Sequence, residues 1–272
     1  MTDDIMPITE KPGFKVDAAI DPQILTAKAY PRDALEAVNR IIAIISSDEE
    51  LASSCYYTRT DTKDKDGKAI VIQGPSVRLA EVFLSEWGNM KAGTRVISND
   101  GRQIVVEGYC WDLEKNNNIS MQVSKSIINS KGNTYSPTMQ QTTIMAAGSI
   151  AYRNAIFKII PLMYIDKVYK VAMEKVAIFA KNIAYVEKAI KNLEKYNVMP
   201  MQVLGYFSKQ SLKELTPEEV QEMIGIGISL REGNITSAEA FTRNAPTFHN
   251  KDGVVIENGS RAEALLSMEV SE

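Results

Sequence analysis

Residues 103–128 read QIVVEGYCWDLEKNNNISMQVSKSII, and their periodicity decides the fold. In the second half, Ile119, Met121, Val123 and Ile127 alternate with Ser120, Gln122, Ser124 and Ser126. A period of two puts the apolar set on one face and hydroxyl and amide groups on the other, the pattern of a strand with one face buried. Lys125 stands on the apolar parity, so either a bulge turns it outward or the apolar face ends there at a groove. Asn116-Asn117-Asn118 supplies a turn back to a strand over 103–113, and Asn99-Asp100-Gly101 a turn from another over 91–98. Three strands so closely joined form an antiparallel meander.

Upstream, CYYTRT (55–60) and KAIVIQ (68–73) flank DTKDKDG, whose Asp66-Gly67 pair signals a hairpin with Lys63 and Lys65 at its tip. Helices bracket this hairpin. DALEAVNRIIAIIS (33–46) carries Leu35, Val38, Ile41, Ile42 and Ile45 on one stripe, and GPSVRLAEVFLSEWGN (74–89) carries Val77, Ala80, Phe83, Leu84 and Trp87 on one face, with Pro75 in its first turn and Gly88 as its stop. Downstream, a long helix starts near Thr138 and stops at Pro161. Its small residues Ala146, Ala147, Gly148, Ala151 and Ala155 suit close packing on a sheet.

Further helices follow: residues 162–181, then NIAYVEKAIKNLEKY, then TPEEVQEMIGIGISLREG with a Thr216, Pro217, Glu219 capping box, and a shorter one boxed by Thr236 and Glu239. Strands and helices are grouped rather than alternating, which predicts an α+β fold with helices on one face of an antiparallel sheet. The expected division is an N-terminal arm (1–30), an α+β core (31–181), a small helical module (182–243) and a disordered tail (244–272).

Composition limits the chemistry. The chain has 272 residues, 44% of them hydrophobic, with two cysteines (Cys55 and Cys110) and one histidine (His249, in the expected tail). Neither a thiolate or imidazole zinc site nor a histidine-based hydrolase can be assembled from these, and a disulfide is not expected. Gly67-Lys68 is followed by Ala69 where a phosphate loop needs Ser or Thr, and GIGISL (225–230) lies in a helix with no preceding strand, so neither is a nucleotide motif. The start MTDDIMPITEKPG lacks the pattern of a secretory signal, no run spans a membrane, and the cytoplasm is the expected compartment.

Net charge is −3, yet residues 55–158 hold 13 Lys and Arg against 9 Asp and Glu, and no acid occurs between Glu114 and Asp166. Such a stretch suits an anionic partner, because cations release the counterions condensed on phosphates. It also reads as a polar strand and a buried helix with no use for acids. Tyr56 and Tyr57 beside Arg59, Tyr135 after Lys131 and Tyr152 beside Arg153 add aromatic surface for base stacking. Glu107, Asp112 and Glu114 lie on one strand as candidates for a metal-dependent DNA-processing site, but Glu107 has the opposite parity to the other two.

The segment AAGSIAYRNAIFKIIPLMYIDKVYKVA (146–172) resembles phage recombinases of the RecT and Red-beta type, whose long helix closes with F-K-x-x-P; Phe157, Lys158 and Pro161 match. The arginines of that family fall on Asn154 and Ala155, whereas this chain has Arg153, one position earlier and about 100° round the helix. GPSVRLAEVFLSEWGNMKAGTRVI and GYCWDLEKN look like phage proteins encoded beside recombination genes. TPEEVQEMIGIGISLREG resembles an appendage that recruits a phage exonuclease or the host single-strand-binding protein.

The resemblance implies a non-enzymatic protein that needs no cofactor or nucleotide, anneals single-stranded DNA into duplex, and works as a homo-oligomeric ring or filament away from membranes. The pool of DNA contacts is then Arg59, Lys63, Lys65, Lys68, Arg78, Lys91, Arg95, Lys125, Lys131, Tyr135, Tyr152, Arg153 and Lys158. The competing expectations are the metal-dependent DNA enzyme and a phage assembly protein with no affinity for DNA.

Overall fold

The computed structural model describes residues 22–63, 69–129 and 131–241, with the backbone alone at 60–63, 69 and 70. The chain is α+β. In order it forms α1 (Pro22–Ala29), α2 (Ala34–Ser47), α3 (Glu49–Ser54), β1 (Tyr56–Lys63), β2 (Ala69–Pro75), α4 (Val77–Trp87), β3 (Met90–Asn99), β4 (Gln103–Asp112) and β5 (Asn117–Ser126). Helices α5 (Pro137–Ile159), α6 (Leu162–Phe179), α7 (Ile183–Glu194), α8 (Pro200–Phe207) and α9 (Pro217–Arg231) complete it.

Strands β1 and β2 pair as a two-stranded antiparallel sheet, and β3, β4 and β5 pair in sequence order as a second antiparallel sheet. Its central strand β4 buries Ile104, Val106, Gly108, Cys110 and Asp112, the alternate row that faces α5. The two sheets are not continuous with each other.

Helix α5 lies along the meander because both surfaces are pared down. Ser136 caps the helix by accepting the Met139 N–H at 3.4 Å, and Pro137 occupies its first turn. Ala146, Ala147, Gly148, Ala151 and Ala155 form its buried stripe. A Cβ on Gly108 would stand 2.2 Å from the Ala151 carbonyl carbon, so glycine on the strand and alanine on the helix together set how close the two backbones come. The helix ends because Pro161 forces the preceding Ile160 into an extended conformation, with ψ 132°.

At the start of α4, Ser76 rather than Pro75 makes the boundary: Ser76 Oγ accepts the Leu79 N–H, while Pro75 closes β2. Helix α3, unforeseen in the sequence, is capped by Asp48, which accepts the Glu50 and Leu51 N–H groups. Thr236 and Glu239 do pair, at 2.7 Å between the Thr236 N–H and Glu239 Oε2, but they close a single turn rather than the expected short helix. The Asp66-Gly67 turn, His249 and the expected tail from residue 244 lie outside the described residues.

The segment expected as a separate helical module shares the main core. One buried cluster runs from Ile41 and Ile45 of α2 through Phe83 of α4 and Ile156 of α5 to Val203 of α8 and Met223 and Ile226 of α9. Helix α9 lies directly on β1: the Ser229 hydroxyl donates to the Thr58 carbonyl at 2.6 Å, and the Tyr56 hydroxyl donates to the Gln221 carbonyl at 2.9 Å. A Cβ on Gly225 would stand 2.1 Å from Thr58 Oγ1, so the glycines of GIGISL serve close packing. Cys55 and Cys110 are free and buried, and burial pushes both thiols up to about 12. Among the described residues no helix is long and apolar enough to cross a membrane.

Candidate nucleic-acid interface

Three cations from three elements meet between the hairpin, the meander and the end of α9. Lys125 is the informative one. The β4–β5 register runs unbroken from Gln103 opposite Ser126 to Asp112 opposite Asn117, so no bulge turns Lys125 outward. It stays in the inward row opposite Ile104, half-buried, and its Nζ donates to the Gly233 carbonyl at 3.3 Å. Burial lowers its pKa and the positive field of Arg59 lowers it further, against the pull of Glu239. The inward row is therefore interrupted at this lysine, between Val123 and the fully buried Ile127, beside the turn that follows α9.

Arg59 reaches that site from β1, where it stands opposite Ile72. Arg153 enters it from α5, its guanidinium carbon 4.6 Å from the centre of the Tyr57 ring, a cation–π contact that fixes its direction. The chain after α9 turns at Gly233, with φ 68°, and brings acids to the same place. Burial pushes the Glu232 carboxyl up, while Arg153 and Arg231 pull it down. The site, called the cleft below, is thus three cations around the residues that follow α9, with Tyr57 beneath Arg153 and Glu232 and Glu239 among them.

The opposite side of the meander is a second feature. Among the described residues α5 packs on the row that includes Gly108, and the other row faces away from it. On it Lys91 stands opposite Trp111, Gly93 opposite Tyr109 and Arg95 opposite Glu107 across β3–β4, while Asn118, Ser120 and Gln122 of β5 complete the same rows. Arg95 Nε donates to Glu107 Oε2 at 2.6 Å; the arginine side chain is 51% exposed and the glutamate 7%. The Trp111 indole N–H donates to Asn116 Oδ1 at 3.2 Å. Tyr109 and Trp111 were not among the expected contacts, although the alternation of residues 103–112 places them on the face away from Cys110.

The remaining expected contacts divide. Arg78 is exposed on α4 and paired to Glu81 at 2.6 Å. Lys131 is exposed in the loop before α5, where its backbone N–H donates to Asn129 Oδ1. Lys158 is exposed in the last turn of α5, where a cation offsets the negative end of the helix. Tyr135 packs on Ile104, Val106, Ile127 and Ala147, and Tyr152 packs on the main core, so both aromatic rings serve as core walls rather than as an exposed stacking surface. Lys65 and Lys68, and the side chain of Lys63, lie outside the described residues.

The acids once set aside for a metal are committed elsewhere. Arg32 holds Asp112 with two hydrogen bonds, 2.8 and 2.6 Å, and Glu114 with a third at 3.1 Å. Burial alone would raise the Glu114 carboxyl, but the Arg32 backbone N–H, the Asn89 amide and the Arg32 charge outweigh it and hold it low. Glu107 faces the other side of the sheet under Arg95. Among the described residues no three His, Cys, Asp or Glu side chains are grouped to hold a metal ion. No family model, curated protein or solved structure matches the chain.

Proposed function

We propose that this protein binds single-stranded DNA and anneals complementary strands without nucleotide hydrolysis, acting as a homo-oligomer. The observation that carries the reading is the convergence of Arg59, Lys125 and Arg153 on one cleft in a chain whose net charge is −3. Burial lowers the pKa of Lys125 and the charge of Arg59 lowers it further, so this pair of cations is held together at a cost. An anionic backbone laid across the cleft reverses its sign.

Three cations per subunit give a weak, salt-sensitive hold, so affinity on a long strand comes from repeating the site along an oligomer. Strands β3 and β5 are both edges of their sheet, and Val96 and Ile97 on β3 are exposed, which leaves strand and apolar surface for subunit contact. Neutralised phosphates lower repulsion between two strands, and the protein adds no chemical step.

The test is quenching of a fluorescent oligonucleotide by its quencher-labelled complement, with protein, EDTA and no nucleotide. Acceleration that fades with salt is expected. Changing both Lys125 and Arg153 to Gln should weaken single-strand binding and flatten the slope of log K against log salt by about 1.4 units, at about 0.7 per lost phosphate contact on a single strand. Binding and slope equal to wild type in a variant that melts normally would sink the cleft assignment. Absence of both binding and annealing in the wild type would leave an assembly role.

A further inference from the structure

We infer that the segment after α9, residues 232–239, is an internal latch on the cation site: it takes the place of a nucleic-acid backbone there, and single-stranded DNA must displace it to bind. The inference rests on the single-strand reading above and adds to it a competitor built into the chain. From the end of α9 to Phe241 the sequence is EGNITSAEAF, with Glu232 and Glu239 as its acids. Both act on cations of the cleft: Glu239 attracts Lys125, and Glu232 attracts Arg153. The contact is also geometric. Lys125 Nζ donates to the Gly233 carbonyl at 3.3 Å, so the lysine already holds an oxygen of this segment where a phosphate oxygen would sit.

The segment is anchored at its ends and lightly held between them. At one end the Gly233 and Asn234 N–H groups donate to the carbonyls of Leu230 and Ser229 at 3.1 and 2.9 Å, which closes α9. At the other, Ala240 and Phe241 are buried, the Phe241 ring edge-on to Tyr206 at 5.5 Å between centres. Between these anchors residues 236–239 are exposed, and Thr236 and Glu239 hydrogen-bond to each other within the turn. The closed arrangement also carries a cost. Asn234 Oδ1 is buried with no hydrogen-bond donor among the described residues, and burial pushes the Glu232 carboxyl up. Lifting the segment returns both groups to water. An exposed carboxylate holds a cation weakly, so phosphates repeated along an oligomer can overcome the latch.

Glu239→Gln removes the charge but keeps an oxygen to accept from the Thr236 N–H and hydroxyl, so the turn is preserved and the variant should melt with wild-type protein. Its affinity for labelled oligothymidine, followed by anisotropy at low salt, should rise by roughly 2- to 5-fold, the worth of an exposed ion pair, because a ligand that binds only the open form is weakened by the fraction closed. The gain should shrink in a Lys125→Gln background, where the latch has lost a partner. Unchanged affinity in Glu239→Gln would overturn the latch and leave the cleft standing. So would an equal gain in both backgrounds, which is only the loss of a charge that repels phosphate. No anisotropy change with either the wild-type protein or Glu239→Gln would overturn the single-strand reading itself.

Discussion

Arg32 shows how a buried charge is tolerated here. Its side chain is 6% exposed, that of Asp112 is 4%, and the pair is two-pronged, with the guanidinium carbon 5.6 Å from the centre of the Trp87 ring. Removing one partner strands the other charge in low dielectric, which costs far more than the pair contributes. Arg32→Met should lower unfolding free energy by about 3–5 kcal/mol, measured by urea denaturation. Adding Asp112→Asn, which keeps an acceptor for the Glu114 and Lys115 N–H groups, should restore part of that loss. Losses that simply add in the double variant would show the two residues do not interact. Single residues also show where sequence adjacency misleads. Tyr152 adjoins Arg153 and Tyr135 follows Lys131 by four residues, yet both rings pack against the core, because neighbours on a helix or loop point different ways. Trp111 and Tyr109 have no cation beside them in sequence and gain Lys91 and Arg95 only across the β3–β4 ladder.

Among the elements, the α5–meander contact sets backbone directly against backbone. The stripe of small residues in α5 and the end at Pro161 were both legible, since each depends on the local chain. The glycine on the partner strand was not, because only the packed pair shows what Gly108 avoids. Gly108→Ala puts a methyl group into the Ala151 carbonyl, where backbone rather than a flexible side chain must yield. It should destabilise the protein by about 3 kcal/mol, at the upper end of overpacking costs, seen as a lowered thermal midpoint. A variant that melts with wild-type protein would mean α5 rides higher on the sheet than described. The hairpin pairing and the meander order were also readable, from period-two alternation and turn residues. The single turn at Thr236 was over-read as a helix, since its capping pair satisfies one turn without an apolar face to extend it.

For the molecule as a whole, the joining of α9 to the hairpin decides how many units fold together. Val220, Met223, Ile224, Ile226, Ile228 and Leu230 of α9 are buried. At about 1.5–3 kcal/mol each they contribute about 9–18 kcal/mol of burial, as large as the net stability of a typical domain. A chain ending after Leu215 should therefore lose its cooperative thermal transition. Retention of a sharp transition in that truncated chain would show residues 22–215 to be self-sufficient. The same joint brings Glu232, Gly233 and Glu239 to the cations of the cleft.

Fold class, the hairpin, the meander and the long helices are properties of short stretches, because alternation, capping and proline stops act over a few residues, and these the sequence determined by itself; the inward parity of Lys125 was decided by the unbroken β4–β5 register. Which cations lie together, which tyrosines pack against the core and which sheet face α5 covers depend on residues far apart in the chain being packed together. Arg59, Lys125 and Arg153 belong to three elements with no common period, so their convergence was settled only when α5 closed on the meander and α9 closed on β1.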